Sequence, residues 1–265
     1  MPVTQLRHLQ LTILGILRDI DTLCKEYSIE YYLLGGSSIG AVRHKGFIPW
    51  DDDLDIAMSS ENYNRFIKVC REHLDNNKYY FQEGLVDWPL NFSKVRLKGT
   101  RLIEYEGYAD NPDNLGIYLD VFKLENSPSN IIAQRWQYLM AKYFLCYQLA
   151  SRTFESANAK KKLMMFLSFP LRNKLIRKWV QGGVEGYGPD SEYYGSFYFR
   201  TRFRTAFTKK SVFGKPRYLP FEDMMLPVQE NYDAYLTQMF GDYMTPPPPD
   251  KQVGLHMIDV DFGAY

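Results

Sequence analysis

The sequence predicts an α+β fold: a mixed-sheet core over residues 1–125 and a mainly helical part over residues 126–265 that packs on the core and completes its site. Three observations carry this. Apolar residues recur at three-to-four spacing over residues 4–27, the period of one helix face. Short apolar runs (Tyr31 to Leu34, Leu54 to Met58, Ile117 to Phe122) then alternate with turns and helical stretches. Beyond residue 126 the pattern lengthens into helical stretches at 128–150 and 160–181.

Taken in order, the first helix puts Leu6, Leu9, Ile13, Ile16, Leu17, Ile20 and Leu23 on one stripe. Tyr31 to Leu34 runs into Gly35-Gly36, a strand opening into a tight turn. Ser37 or Ser38 caps a short helix reaching about Arg43. Pro49 interrupts the chain before the strand Leu54 to Met58. A helix after Ser59-Ser60 carries Tyr63, Phe66, Ile67, Cys70 and Leu74 inward. Residues 78–98 read as one or two strands with a turn near Gly84, and residues 107–116 as a loop. Pro170 breaks the 160–181 stretch. The glycines between Gly182 and Gly188, with Pro189, mark a loop. Residues 191–220, aromatic and basic, fit no single pattern. A last helix covers about 229–240, and Pro246 to Pro249 reads as rigid and extended.

Lys plus Arg number 32 and Asp plus Glu 31, a formal net charge of +1. That balance gives no global field for nucleic acid, and no nucleic-acid partner is expected. Cys24, Cys70 and Cys146 lie far apart without a metal-binding spacing and read as free thiols in a reducing compartment. Residues 1–10 lack the order of a signal peptide. No run reaches the roughly 20 apolar residues of a membrane span. The expected location is cytoplasmic, with peripheral contact at the inner face of the cell membrane as an extension.

The densest chemistry is Trp50-Asp51-Asp52-Asp53-Leu54-Asp55-Ile56. On a strand, Asp53 and Asp55 share one face while Leu54 and Ile56 point into the core. Two carboxylates this close raise each other's pKa unless a cation lies between them. Hard oxygen ligands in an Asp-x-Asp strand suit Mg2+ or Mn2+, and Mg2+ commonly bridges substrate phosphates as well. Asp51 and Asp52 read equally well as a solvated acidic turn. Asp120, set among Ile117, Leu119, Val121 and Phe122, is costly to bury alone. Facing the same metal as a third carboxylate resolves that cost; capping a helix is the alternative.

The turn at Gly36 and Ser37 can offer backbone N–H groups and a hydroxyl to phosphate. Metal and carboxylates together stabilise a transferring phosphoryl group, and one carboxylate can take the acceptor's proton. The remaining phosphate charge requires cations. Arg43, His44 and Lys45 precede the acidic run, and Lys94 and Arg96 share a face of a later strand. For Lys94 and Arg96 a solvent-facing role is equally open, and Lys98 and Arg101 read as solvent-facing.

Residues 35–56, Gly35-Gly36-Ser37-Ser38 through Arg43-His44-Lys45-Gly46-Phe47-Ile48-Pro49-Trp50 to Asp53-Leu54-Asp55-Ile56, closely resemble the signature of the LicD family of phosphocholine (diphosphonucleoside choline) transferases. That family is similar to the nucleotidyltransferase fold, in which a Gly-Ser pair precedes an Asp-x-Asp strand and a third carboxylate follows on a later strand. The resemblance gives Gly36 and Ser37 the first role, Asp53 and Asp55 the metal pair, and Asp120 the third place. Lys94 to Thr100 resembles the family's basic strand and Gly-Thr turn. Tyr232 to Pro246, with Gly241-Asp242-Tyr243-Met244, resembles its C-terminal element, with Phe240 in place of the usual Tyr. His256 matches a late histidine often seen there. Residues 126–210 match only vaguely.

The resemblance implies a nucleotidyltransferase-like core and a metal-dependent enzyme. It would transfer a phosphoalcohol, phosphocholine first, from a CDP-activated donor to a hydroxyl of a cell-surface glycan or teichoic acid precursor, releasing CMP. The implied partners are a CDP-linked small molecule and a glycan or lipid-linked glycan, as in lipopolysaccharide biosynthesis. Nucleotidyl transfer with pyrophosphate leaving uses the same carboxylates. A metal-dependent glycosyltransferase fits less well, because such enzymes usually place a sizeable nucleotide-binding unit ahead of the Asp-x-Asp. A non-catalytic scaffold has no need of three convergent carboxylates.

Two further features remain open. Tyr187, Tyr193, Tyr194, Phe197, Tyr198 and Phe199, with Trp50 and Trp88, either cage a quaternary ammonium or pack a core. Residues 161–180 carry six basic residues, Lys161, Lys162, Arg172, Lys174, Arg177 and Lys178, and no acid, interleaved with apolar residues. They read either as a peripheral membrane-contacting stretch or as a helix packed on the core with a solvated basic edge.

Overall fold

The computed structural model describes residues 3–104, 116–151, 159–197, 201–254 and 257–265. Helix α1 (Val3–Glu26) turns Leu9, Ile13, Ile16, Leu17 and Ile20 fully inward, as its periodicity requires. Then come β1 (Tyr32–Leu33), α2 (Gly35–Ile39), a π-helical turn (Gly40–His44), β2 (Asp55–Ser59) and α3 (Ser60–His73). Ser59 caps α3 by accepting from the Asn62 N–H at 3.2 Å. Strands β3 (Tyr79–Gln82), β4 (Ser93–Leu97), β5 (Arg101–Glu104) and β6 (Tyr118–Ser127) follow, so the 78–98 stretch is two strands.

The sheet runs β1-β2-β6-β4-β3. Its β2–β6 pair is parallel and the other pairs are antiparallel, the mixed sheet expected of an α+β fold. Strand β6 outruns the Ile117 to Phe122 expectation. Its far end, Glu125 to Ser127, pairs with β7 (Tyr193–Gly195), which pairs with β8 (Phe207–Lys209). Alternation then sorts the faces. Leu54, Ile56, Met58, Val95, Leu119 and Val121 join the apolar stripes of α1 and α3 in one core.

The later chain holds α4 (Ile131–Ser151), α5 (Ala159–Leu167), a 3-10 turn (Phe169–Arg172) and α6 (Lys174–Glu185), broken at Pro170 as expected. The 191–220 stretch contains β7, α7 (Phe203–Ala206), β8, α8 (Lys210–Phe213) and part of β9 (Arg217–Phe221). Pieces of three to five residues are too short for periodicity to register. Strand β10 (Met224–Val228) forms a hairpin with β9, so the last helix, α9 (Tyr232–Phe240), starts later than residue 229. Pro249 opens a short 3-10 turn (Pro249–Lys251), and β11 (Met257–Asp261) pairs with β5.

These late elements return to the core. Val228 of β10 enters the α1–α3 core. Leu145 of α4 and Tyr235 and Leu236 of α9 pack with Leu34, Ala57, Phe92 and Phe122 on the opposite face of the sheet. The expectations for residues 107–115, Tyr198, Phe199 and His256 lie outside the described residues. No helix among the described residues is long and apolar enough to cross a membrane.

Candidate active site

One row across the sheet gathers the chemistry. Asp55 opens β2 and stands opposite Asp120 on the parallel β6. Asp120 stands opposite Lys94 on β4, and Lys94 opposite Gln82 on β3. Residues paired in register on neighbouring strands project to the same side. Two acids, a lysine and a glutamine are therefore aligned on the face away from α1.

The glycine-serine segment is the first turn of α2 rather than a turn ahead of it, with Leu34 at the N-cap. Neither Ser37 nor Ser38 caps the helix, because Ser38 Oγ donates to the Leu33 carbonyl and Ser37 Oγ serves the acidic strand. Leu34 N–H donates to the Asp55 carbonyl at 3.0 Å, and Ser37 Oγ accepts from the Asp55 N–H at 2.9 Å. Gly35 has φ +55°, the left-handed region that glycine enters without penalty. A Cβ on Gly36 would stand 2.9 Å from Asp51 Oδ2, so the acidic loop lies directly against this glycine. Gln10 of α1 braces the loop from below, donating to the carbonyls of Ile48 at 3.2 Å and Asp51 at 2.9 Å.

Electrostatics single out Asp55. Burial pushes its carboxyl well above the usual range, and the charges of Asp53, Asp120 and Asp51 push the same way, partly offset by Lys94. Its Oδ1 is enclosed with no hydrogen-bond partner among the described residues. Asp51, Asp52 and Asp53 each bring one carboxylate oxygen within 4.8 Å of the others. Lys94 Nζ lies 3.1 Å from Asp120 Oδ1. Its ammonium also sits 3.2 Å from the Tyr118 ring centroid, with Trp88 at 5.4 Å and Phe92 at 5.7 Å. Aromatic faces on three sides stabilise a charge that water scarcely reaches.

The other basic residues divide. Arg96 shares the face of Lys94 two positions on; it is buried, donates to Gln82 Oε1 at 2.8 Å and the Gly116 carbonyl at 3.0 Å, and lies over Tyr118. Arg43 is half-buried and donates to the Tyr243 carbonyl at 2.6 Å, and its Nε donates to His44 Nε2 at 2.9 Å. Burial and the adjacent guanidinium hold His44 below its ordinary pKa. Lys98 and Arg101 are solvent-side, bonded to the Asn76 carbonyl and to Asp259. Trp88 is buried with Lys94 across its ring, so its packing is spoken for. Phe197 packs against Tyr138 and Phe207, and Tyr194 against Phe213, which is core packing.

Four positioning residues were not singled out in the sequence: Gln10, Glu222, Gln229 and Tyr235. Glu222 accepts from Arg7 and from the Phe47 N–H at 3.1 Å, holding the turn that leads into the acidic run. Gln229 donates to the Leu33 carbonyl at 2.9 Å, and Tyr235 OH accepts from the Gly35 N–H at 3.4 Å. Gln10 alone left a signal, as a glutamine inside the apolar stripe of α1.

Residues 28–161, which include this whole row, match the family described as LicD/FKTN/FKRP, nucleotidyltransferase domain. The lipopolysaccharide cholinephosphotransferase LicD of Haemophilus influenzae is 30% identical over 262 residues, 95% of this chain and 96% of its own length. The chain belongs to the LicD family. Two uncharacterised rickettsial proteins share shorter stretches. One from Rickettsia typhi is 33% identical over 26% of this chain and 25% of itself. One from Rickettsia prowazekii is 40% identical over 27% of this chain and 37% of itself. The LicD-family domain match stops before Glu222, Gln229 and Tyr235, whereas the Haemophilus similarity spans nearly the whole chain.

Proposed function

We propose that this LicD-family chain is a metal-dependent transferase. It moves phosphocholine from a CDP-activated donor to a hydroxyl of a cell-surface glycan, lipopolysaccharide or a teichoic acid precursor, and releases CMP. The acceptor class and the choline follow the Haemophilus relative, whose name records both and whose similarity runs nearly end to end.

The observation that carries the metal is the enclosed, unpartnered Oδ1 of Asp55 among further acids. Lys94 offsets only part of the charge on this group, and a hard divalent cation with oxygen ligands would supply the rest. Asp53, Asp55 and Asp120 would hold Mg2+ or Mn2+, with Asp51 and Asp52 beside Asp53, since one oxygen from each of these three lies within 4.8 Å of the others. When bound, the ion stabilises negative charge on the phosphoryl oxygens.

The chain's own groups do the rest. Gly36 and Ser37 set the start of the strand that carries Asp55 and form the floor for phosphate. Arg43 and His44 border the acidic loop and face the donor's diphosphate. Lys94 and Arg96 fix the electrostatics of the row, with Lys94 balancing Asp120. The acceptor hydroxyl oxygen bonds to the phosphocholine phosphorus as the bond to CMP breaks. CMP leaves with the electron pair, and a carboxylate of the cluster accepts the hydroxyl proton.

The deciding experiment incubates the protein with Mg2+ or Mn2+, CDP-choline and related CDP-alcohols, and a lipopolysaccharide or teichoic acid precursor acceptor, with Asp53→Ala alongside. Mass spectrometry follows CMP and pyrophosphate. Metal-dependent CMP release and acceptor modification, absent from Asp53→Ala, is the expected result. Pyrophosphate release from nucleoside triphosphates, with no CMP from any donor, would replace this reading by nucleotidyl transfer.

A further inference from the structure

The side of the molecule built by α4, α5 and α6 exposes large apolar side chains that fill no core. Ile132 is 73% exposed, Phe166 75%, Leu175 77% and Trp179 63%. Phe169 and Leu139 are exposed beside them. The three helices are tied into one surface. Trp136 of α4 meets Trp179 of α6 edge-on at 6.1 Å, and Tyr143 OH of α4 donates to the Leu167 carbonyl at the end of α5. The buried side of the same elements, Phe144, Leu171 and Val180, forms a separate small core. The outward residues are therefore a second apolar face, beyond what these helices need to pack.

The charge on this side is predominantly positive. From Ala159 to Glu185, the span of α5 and α6, the sequence contains Lys160, Lys161, Lys162, Arg172, Lys174, Arg177 and Lys178 and one acid, Glu185, which lies 3.5 Å from Lys123 Nζ. Helix α4 carries no acid and adds Arg135, whereas its Lys142 is half-buried and burial lowers that ammonium to about 8. A chain with a net charge of +1 has thus concentrated cations where it also exposes Trp, Phe, Leu and Ile.

We infer that this α4–α5–α6 face docks on an anionic lipid bilayer. Apolar side chains enter the headgroup boundary, lysines and arginines meet lipid phosphates, and tryptophan favours that interface. The charge pattern opposes a second copy of the chain as the occupant, because the same cations would meet across the interface. Docking bears on catalysis through α4. Leu145 packs in the cluster that holds Trp88, Phe92 and Phe122 on the carboxylate side of the sheet, so the site and the docking face share one rigid helix. Held this way, the site meets a lipid-linked glycan at the bilayer surface. That last point rests on the proposed activity; the docking itself does not.

The test is co-sedimentation of the full chain with vesicles of phosphatidylglycerol and phosphatidylethanolamine, against vesicles of phosphatidylcholine, at low and high salt. Binding to the anionic vesicles that weakens with salt is expected. Leu175→Ser with Trp179→Ser, and separately Lys174→Glu with Lys178→Glu, should each lower it about tenfold or more. Thermal melting should stay near that of the parent for Lys174→Glu with Lys178→Glu, whose side chains are exposed, and fall only slightly for the apolar pair, which loses the Trp136–Trp179 ring contact. Asp53→Ala should bind vesicles like the parent, which separates a failure of docking from a failure of the catalytic reading. No binding at low salt, equal binding by the variants, or a solution dimer dispersed by Leu175→Ser with Trp179→Ser would overturn the inference.

Discussion

Lys94 and Asp120 face each other from adjacent antiparallel strands, with Nζ 3.1 Å from Oδ1 and both side chains nearly closed to solvent. The pair sits in the row that also holds Asp55, so this ammonium offsets part of the repulsion among the acids.

Removing that cation leaves buried carboxylates uncompensated. In metal-free buffer, Lys94→Met should destabilise the fold by about 3–5 kcal/mol, measured by urea denaturation. Lys94→Met with Asp120→Asn should lose clearly less than Lys94→Met alone. A double variant as unstable as the sum of its parts would show that the two side chains act independently.

Asp53→Ala should abolish transfer while leaving the melting temperature close to the parent's, because Asp53 precedes β2 and sits in no apolar cluster. Calorimetric titration with Mn2+ should show a weakened or absent binding step. Chelation of the parent protein should stop CMP release, and added Mg2+ or Mn2+ should restore it.

Gly36→Ala places a methyl 2.9 Å from Asp51 Oδ2. The contact is with the end of a side chain rather than with backbone, so the stability change should be within about 1 kcal/mol. The acidic loop shifts with that side chain, and transfer activity should fall by about tenfold or more, since displacements near 1 Å suffice for that. Unchanged kcat and KM would mean that Asp51 and the Gly36 backbone do not shape the site.

Hydrogen bonding from Arg7 holds the Glu222 carboxyl below its ordinary value of 4.5. The folded state then takes up this proton less readily than the unfolded state. The stabilisation is complete above pH 4.5 and is lost as pH falls through the lower, folded value. Melting temperature should therefore drop more steeply below that pH in the parent than in Glu222→Gln. Superimposable profiles would remove Glu222 from the acid response.

How much of this is legible in the sequence depends on contact range. The strand that begins at Asp55 is legible because apolar residues alternate through it, whereas Asp53 falls just before that strand and Gly36 and Ser37 fall inside α2, where the spacing predicts a strand and a tight turn. Asp120 is legible because an acid in an apolar strand needs a partner. That Lys94 is the partner follows from the β4–β6 register, which no local pattern encodes. Gln229 and Tyr235 reach Leu33 and Gly35 across 196 and 200 residues, so neither leaves a local trace. The short strands between 191 and 220 exist because β6 is long enough to pair with β7 beyond the site, a tertiary cause invisible to periodicity.

The bond from Arg43 to the Tyr243 carbonyl, with those of Gln229 and Tyr235, also sets a timetable. On the ribosome the acidic loop emerges early, at a few to some twenty residues per second. The side chains that hold its turn arrive roughly 10 seconds or more later, after all of α4 to α8. Until then the acidic loop rests on Gln10 and the β4–β6 row. A chain stalled before Gln229 would therefore lack the bonds that fix Leu33 and Gly35 from the far end of the sequence.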